Sequence, residues 1–165
     1  MAPDSPTRLP PMPECVNLGW REWLALPSLG IPSIKAKLDT GARSTSLHVE
    51  SLETLTIEGV LHVRFTVRTR RRGSRVVDCS APVCDRRSVT DSGGRRADRW
   101  FIRADLLLGG ECFPVEMNLT DRRTMLFPLL LGRSALEGRF RVDPSLSYTC
   151  PRPLRPARTD LPESA

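Results

Sequence analysis

Apolar and polar residues alternate with a period of two through the middle of the chain, which is the spacing of half-buried strands. The alternation is clearest over residues 34–38, 54–58 and 61–68. Gly59, the run Asp91-Ser92-Gly93-Gly94 and the pair Gly109-Gly110 interrupt it as turn signals. Further short strands are predicted at residues 75–79, 86–90, 99–104, 112–118, 129–131 and 140–143, and a helix only at 133–137. Many short strands and one short helix near the C-terminus predict an all-β barrel or sandwich.

Proline concentrates at the two ends of the chain. Nine of the fifteen prolines lie in residues 1–13 and 150–165, which show little apolar periodicity. We expect flexible tails at 1–13 and 150–165 and one domain at 14–149. The length of 165 residues suits a single domain.

The apolar runs and the cysteines indicate the cellular compartment of the protein. The longest apolar run, residues 125–131, has seven residues, whereas a membrane helix takes about 20. The N-terminal residues have no apolar stretch of the secretory kind. The five cysteines form no C-x-x-C pair, which suits reduced thiols. The expectation is a cytoplasmic protein without a membrane segment.

Arginine dominates the charge. The net charge is +6, and 23 of the 25 basic residues are arginine, the exceptions being Lys35 and Lys37. A guanidinium binds carboxylates and phosphates through a planar fork. A basic surface suits nucleic acid or an acidic protein or peptide, although a genomic preference for arginine codons would give the same ratio.

Two segments carry candidate chemistry. In residues 37–44 an apolar strand delivers Asp39, then Thr40 and Gly41. Taken alone, so short a tripeptide favours an ordinary Asx turn that ends a strand. In residues 125–136 an apolar strand reaches Gly132 and Arg133 before a short helix. Such a strand and helix also occur in many unrelated folds.

Together and in this order, the two segments resemble those of the retropepsin-like aspartic proteases. With residues 29–43 and 88–94, the chain resembles the bacterial ATP-dependent zinc protease family, the RimB-like branch of that clan, over roughly residues 18–148. The resemblance implies a closed or partly closed barrel. It also implies Asp39 as the catalytic carboxylate, a loop shaped by Thr40, Gly41 and Ala42 with Thr40 as a hydrogen-bonding brace, and support from beneath by Leu131, Gly132 and Arg133.

The aspartic mechanism needs two carboxylates about 3 Å apart that share a proton. The D-T-G tripeptide occurs once, so the resemblance implies a homodimer with one Asp39 from each subunit. No metal and no cofactor is needed for this chemistry.

Arg43 departs from the viral members of the clan, which carry an aspartate there that pairs with the arginine of the Gly-Arg segment. Arg43 and Arg133 would repel each other, so Arg43 is expected in or beside the cleft, where it could grip a substrate carboxylate. A surface position beside a local carboxylate is the alternative. The hairpin 86–103 is a candidate flap, which would bring Ser92 and Gly93 to the substrate, and its arginines would otherwise be a solvated face.

An acidic peptide or protein is the substrate expected from this charge. By analogy with the family, a partner is an ATP-grasp ligase that adds glutamates to proteins, and its glutamate tails are the candidate substrate. Neither zinc nor ATP fits the sequence, which contains no G-x-x-x-x-G-K-[ST] loop and no H-E-x-x-H. Its two histidines, His48 and His62, sit in strand patterns, and Cys79 and Cys84 are expected to be buried small apolar side chains.

The rival interpretation is a non-catalytic module. The basic hairpin of residues 64–75 could contact RNA phosphates, although Phe65 is its only aromatic residue and base stacking would need more. A third possibility keeps the fold without cleavage, as a regulator of a ligase partner.

Overall fold

The computed structural model describes residues 15–69, 75–121 and 126–153. The predicted tail 1–13, the turn at 70–74 and residues 154–165 lie outside these ranges. The elements in chain order are β1 (Val16–Gly19), β2 (Arg21–Leu26), a 3₁₀ turn (Pro27–Leu29), β3 (Ile31–Asp39), β4 (Thr45–His48), β5 (Ser51–Ile57), β6 (Val60–Arg68), β7 (Val76–Pro82), β8 (Asp85–Thr90), β9 (Arg96–Leu108), β10 (Glu111–Thr120), β11 (Leu129–Gly132), α1 (Arg133–Leu136) and β12 (Phe140–Asp143).

Six strands pair around a ring in the order β9, β10, β4, β11, β3 and β2. The ring returns to β9 where Ala25 of β2 lies opposite Leu107, so the barrel is partly closed. β8 extends the sheet beyond β9 as the outer strand of a hairpin. The all-β prediction with one short helix near the C-terminus is therefore confirmed.

The core fills this ring with alternating side chains of its strands. Leu24, Ile34, Leu47, Ile102 and Leu131 are completely buried in it. β3 shows the predicted alternation most plainly, since Ile34, Ala36 and Leu38 are buried while the lysines between them are exposed. Burial of these apolar faces is what holds the strands in register.

A second sheet of three strands, in the order β5, β6 and β7, packs against the barrel. β5 and β6 pair across the predicted turn at Gly59, and β6 pairs with β7, the predicted hairpin partner. The inner face of this sheet contributes Val63, Phe65 and Cys79 to the core.

The segment that follows β12 is tied to β1 and β2 by a buried carboxylate. Glu22 is completely buried and accepts hydrogen bonds from the amides of Gly19 (2.8 Å), Thr149 (2.9 Å) and Cys150 (3.2 Å). The first residues of the predicted C-terminal tail therefore contact the domain, and Arg152 also reaches Ser33.

Within the described ranges, no helix is both long and apolar enough to cross a membrane.

Candidate active site

Asp39 is the last residue of β3 and lies half-buried at the edge of a cleft. Its Oδ1 accepts a hydrogen bond from the Gly41 amide (2.9 Å), and its carbonyl accepts one from the Ala42 amide at 3.3 Å. This is an Asx turn of the kind that the sequence allowed. A β-carbon at Gly41 would lie 3.1 Å from Asp39 Oδ1, so glycine lets the turn close tightly around the carboxylate.

The loop of residues 39–44, here called the Asp39 loop, rests on the segment that sequence analysis placed beneath it. β11 runs parallel to β3, with Leu131 beside Leu38 and Gly132 beside Asp39. The Arg133 amide donates to the Ala42 carbonyl (2.7 Å), and the Arg133 side chain donates to the Thr40 carbonyl (3.3 Å). The amide and the side chain of Arg133 therefore hold the loop by its carbonyl groups.

Gly132 is where the two segments approach most closely. A β-carbon there would lie 2.5 Å from the carbonyl carbon and oxygen of Ser44, a distance at which the backbone must move. The Gly132 amide donates to Oγ1 of Thr45, which is completely buried (3.1 Å). Gly132 is thus a position that only glycine fits without a shift of the backbone.

The cleft above the Asp39 loop has a volume of about 800 Å³. Its other wall is the tip of the β8–β9 hairpin, and a side wall is apolar. The residues around it are Trp20, Lys37, Asp39, Gly41, Ala42, Arg43, Ser44, Ser46, Val89, Thr90, Asp91, Ser92, Arg99, Asn118, Leu126, Phe127 and Leu130.

A buried polar network forms the floor of the cleft, and sequence reasoning missed it. Asn118 is completely buried, and its Oδ1 accepts from the Ser46 hydroxyl (3.1 Å) and from Arg99 (3.0 Å). Its amide nitrogen donates to the Thr45 carbonyl (3.0 Å). No sequence motif marks this network, since its members are common strand residues that come from three separate strands, β4, β9 and β10.

The structure places most of the predicted site residues together. Asp39, Gly41, Ala42, Arg43 and Ser92 line the cleft, while Leu131, Gly132 and Arg133 lie beneath the loop. Gly93 follows Ser92 at the hairpin tip, where its amide donates to Asp91 Oδ1 (2.9 Å). Thr40 is exposed, and its contact with Arg133 is through its carbonyl.

Arg43 and the arginines of the hairpin differ in their surroundings. Among the described residues, no carboxylate forms an ion pair with the Arg43 guanidinium, which is exposed at the cleft. On the hairpin, Arg87 pairs with Asp85 (2.7 Å) and with Glu116, and Arg86 lies 4.0 Å from Asp98. Part of the hairpin charge is thus neutralised outside the cleft.

The basic hairpin that suggested RNA binding is also partly neutralised. Arg64 of β6 pairs with Glu53 of β5, and Arg68 of β6 pairs with Glu50, the residue before β5, each at 3.3 Å. Residues 70–74 of that hairpin lie outside the described residues.

A zinc site does not fit the residues that the structure describes. No group of three or more potential metal ligands converges in residues 15–69, 75–121 and 126–153. His62 of β6 contacts the Val60 carbonyl on the same strand. His48, the last residue of β4, lies beside Glu50, which follows that strand. Cys79 is buried as predicted, and burial raises the pKa of its thiol to about 11. The prediction that Cys84 is buried is wrong, because this residue is exposed in the short connection between β7 and β8.

Comparison with known proteins gives one family. A family model described as "Retropepsin-like aspartic endopeptidase RimB" matches residues 17–153. Two relatives, from Shewanella pealeana and Desulfotalea psychrophila, are each named "Probable alpha-L-glutamate ligase". The first is 37% identical over 132 residues (79% of this chain, 29% of that protein) and the second 39% over 130 residues (78% and 28%). The chain thus spans under a third of the curated relatives it matches.

A solved structure has the same fold. A Legionella pneumophila protein of unknown function superposes with a TM-score of 0.70 at 29% identity, over 82% of this chain and 98% of that one.

Proposed function

Since the chain belongs to the RimB-like family of retropepsin-like aspartic endopeptidases, we propose that it is an aspartic peptidase that works as a homodimer. The single observation that carries the proposal is the Asp39 carboxylate, half-buried at the cleft and oriented by the Gly41 amide. A carboxylate so held can exchange protons with a water or a peptide carbonyl in the cleft.

The second carboxylate comes from the twin Asp39 of the other subunit. Asp91 is the other acidic residue around the cleft, and its Oδ1 accepts from the Gly93 and Arg95 amides, which ties it to the hairpin turn. Two Asp39 side chains across a two-fold axis share one proton, because both cannot carry charge at about 3 Å.

In the reaction, the ionised Asp39 removes a proton from water, and the water oxygen attacks the scissile carbonyl carbon. The protonated Asp39 donates its proton to the carbonyl oxygen. The tetrahedral intermediate then collapses. One of its hydroxyl groups gives its proton to the ionised Asp39 as the carbonyl re-forms, the C–N bond breaks, and the leaving nitrogen takes the proton from the other Asp39.

An acidic polypeptide, including a glutamate tail on a protein, is the substrate class. Three cationic side chains, Lys37, Arg43 and Arg99, surround the cleft, and Arg43 has its guanidinium free of any described carboxylate. A guanidinium in that position suits a bidentate contact to a glutamate side chain near the cut bond.

The decisive experiment mixes wild-type protein with Asp39→Asn. Solution mass gives the oligomeric state, and cleavage of a glutamate-rich peptide gives the activity. If subunits exchange freely, an equal mixture leaves about a quarter of the dimers with two carboxylates, and activity falls to about a quarter of that of wild type at the same total concentration. Independent one-chain sites would retain about half.

The control variant is Asp105→Asn, an exposed aspartate on β9 away from the cleft, which should keep full activity both alone and in an equal mixture with wild type. A monomeric wild type, or an Asp39→Asn protein that still cleaves, would overturn the aspartic mechanism.

A glutamate ligase partner is supported by a separate observation. The matched segment occupies 28–29% of relatives that are named glutamate ligases, so a domain of this kind is part of a longer chain there. We infer that this chain binds such a ligase, either to trim its products or to regulate it. Co-purification with the segment of the Shewanella pealeana relative outside the match tests this inference, and absence of a complex at micromolar concentration would contradict it.

A further inference from the structure

The outer face of β2 and β3, beside the cleft, alternates cations with aromatic rings. In this antiparallel pair Arg21 lies opposite Lys37 and Trp23 opposite Lys35, so the four side chains share one face of the sheet. The segment after β12 adds a ring and a further cation. We call the whole set the cation–aromatic face: Trp20, Arg21, Trp23, Lys35, Lys37, Tyr148 and Arg152.

Cations and rings are in direct contact along this face. The Arg21 guanidinium carbon lies 4.7 Å from the Trp20 ring centroid and 5.0 Å from that of Tyr148. Lys35 Nζ lies 5.1 Å from the Trp23 centroid and 5.8 Å from Tyr148. These distances are within the range of cation–π attraction, which fixes the cations in place.

Arg152 is the last member of the cation–aromatic face. Its guanidinium carbon lies 4.2 Å from the Trp23 centroid, and its Nε donates to the Ser33 hydroxyl (2.9 Å). Arg21 is held in the same manner by a bond from Nε to the Ser147 hydroxyl (3.2 Å). Each bond uses one of five guanidinium donors, so most donors remain for a ligand.

The positive charge of this face is not neutralised by the residues that the structure describes. None of the ion pairs in residues 15–69, 75–121 and 126–153 involves Arg21, Lys35, Lys37 or Arg152. The one acidic residue of β2, Glu22, is buried on the opposite side of the strand. Four cations thus face solvent without a carboxylate, which is a strong field for an anionic chain.

The arrangement favours carboxylates over nucleic-acid bases. Bases bind such surfaces by stacking on open aromatic faces. Here Tyr148 has a cation on it from both Arg21 and Lys35, and Trp23 from both Lys35 and Arg152. Rings covered in this way serve to hold cations, and the ammonium and guanidinium groups on them are left to bind an anion.

We propose that the cation–aromatic face is an exosite for an acidic polypeptide whose chain continues into the Asp39 cleft. Trp20 and Lys37 belong both to this face and to the wall of the cleft, so the two surfaces are continuous. From Lys37 to Ser33, where Arg152 is anchored, β3 runs for four residues, or about 13 Å, which matches about four residues of extended peptide. The direction toward Asp39 rests on the proposed peptidase function, whereas the binding itself does not.

The test is direct binding to protein that cannot cleave. We would measure the fluorescence anisotropy of a labelled oligoglutamate peptide of about eight residues with Asp39→Asn protein. Adding Lys35→Gln and Arg152→Gln, both exposed positions, should weaken binding about ten-fold or more, since two charge-assisted contacts are lost. The control adds Arg139→Gln and Arg141→Gln, two exposed arginines at β12, outside the cleft and the cation–aromatic face, and should change binding less than about two-fold.

Lys35→Arg with Arg152→Lys, which keeps both charges, should retain most of the affinity. Equal weakening by the two neutral pairs would overturn the proposal, because it would show a general charge effect. Displacement of the peptide by polyuridylate at lower concentration than by unlabelled oligoglutamate would also overturn it and assign the face to nucleic acid. If the face variant loses binding while wild-type protein never cleaves, the exosite stands and the peptidase proposal fails.

Discussion

The two walls of the Asp39 cleft are built in different ways. The Asp39 loop rests on main-chain hydrogen bonds from Arg133 and Ser134 and on the close approach of Gly132, with completely buried Thr45 beneath. The β8–β9 hairpin opposite is an antiparallel ladder whose outer strand, β8, is mostly exposed, and its side-chain contacts lie at the surface: Arg87 pairs with Asp85 and Glu116, and Asp91 holds the turn. Buried contacts define one wall, and solvent-screened contacts define the other.

This difference separates two requirements of a peptide-cleaving site. A carboxylate must be positioned within a fraction of an ångström, which suits a wall whose backbone cannot shift. A substrate chain must enter and leave, which suits a wall whose contacts open at low cost. Substitutions in the two walls should therefore have very different effects on stability.

The largest effect is expected from Gly132→Ala. The added β-carbon would lie 2.5 Å from the Ser44 backbone, so the Asp39 loop must move, at a cost of about 3 kcal/mol or more in the free energy of unfolding. Urea denaturation measures this cost. Gly138→Ala is the matched control, since a β-carbon there meets nothing within 4 Å and only the backbone angle (φ +75°) opposes it. That change should cost about 1 kcal/mol, and equal costs would refute the close-approach argument.

A smaller effect is expected from Thr45→Val, which keeps the shape of the side chain. It leaves the buried Gly132 amide without its acceptor and should lower the free energy of unfolding by about 2 kcal/mol. Thr56→Val on the exposed strand β5 is the control and should be close to neutral. If the two variants unfold at the same urea concentration, the hydrogen bond to Gly132 does not stabilise the loop.

The smallest effect is expected from Arg87→Gln in the hairpin wall. Its ion pairs with Asp85 and Glu116 are exposed, so the loss should be about 1 kcal/mol or less. Because such pairs are screened, the difference from wild type should shrink further in about 1 M sodium chloride. A loss as large as that of Gly132→Ala, unchanged by salt, would mean that both walls are built alike.

Much of the fold was predictable because period-two alternation marks strands with one solvent face. β3, β6 and the β8–β9 hairpin were found in this way, and the short helix was placed within one residue of α1. β1, β2 and β4 were missed. β4 buries all of its residues, Thr45, Ser46, Leu47 and His48, so polar side chains stand where the pattern expects none.

The candidate site was likewise predictable only in part. The nearness of the Asp39 loop to residues 131–133 came from a family resemblance, and the parallel register of β3 and β11 accounts for it. The polar floor could not be foreseen, because Ser46 and Asn118 meet only through the parallel pairing of β4 and β10, residues 72 apart in sequence. The cation–aromatic face likewise depends on a cross-strand register that neighbouring sequence does not encode.

The buried Glu22 carboxylate has a consequence for where the two ends of the described domain lie. It holds the segment at Cys150 close to β1, and a β-carbon at Gly109 would lie 3.8 Å from Val16 Cγ1 and 3.9 Å from Cys150 Sγ. Residues 16 and 150, which lie near the two ends of the described domain, are therefore close together in space, a geometry that suits circular permutation. A second domain joined directly at residue 16 or at residue 150 would start from the same side of the described domain, so the order in which two such domains are encoded would leave their spatial relation nearly unchanged.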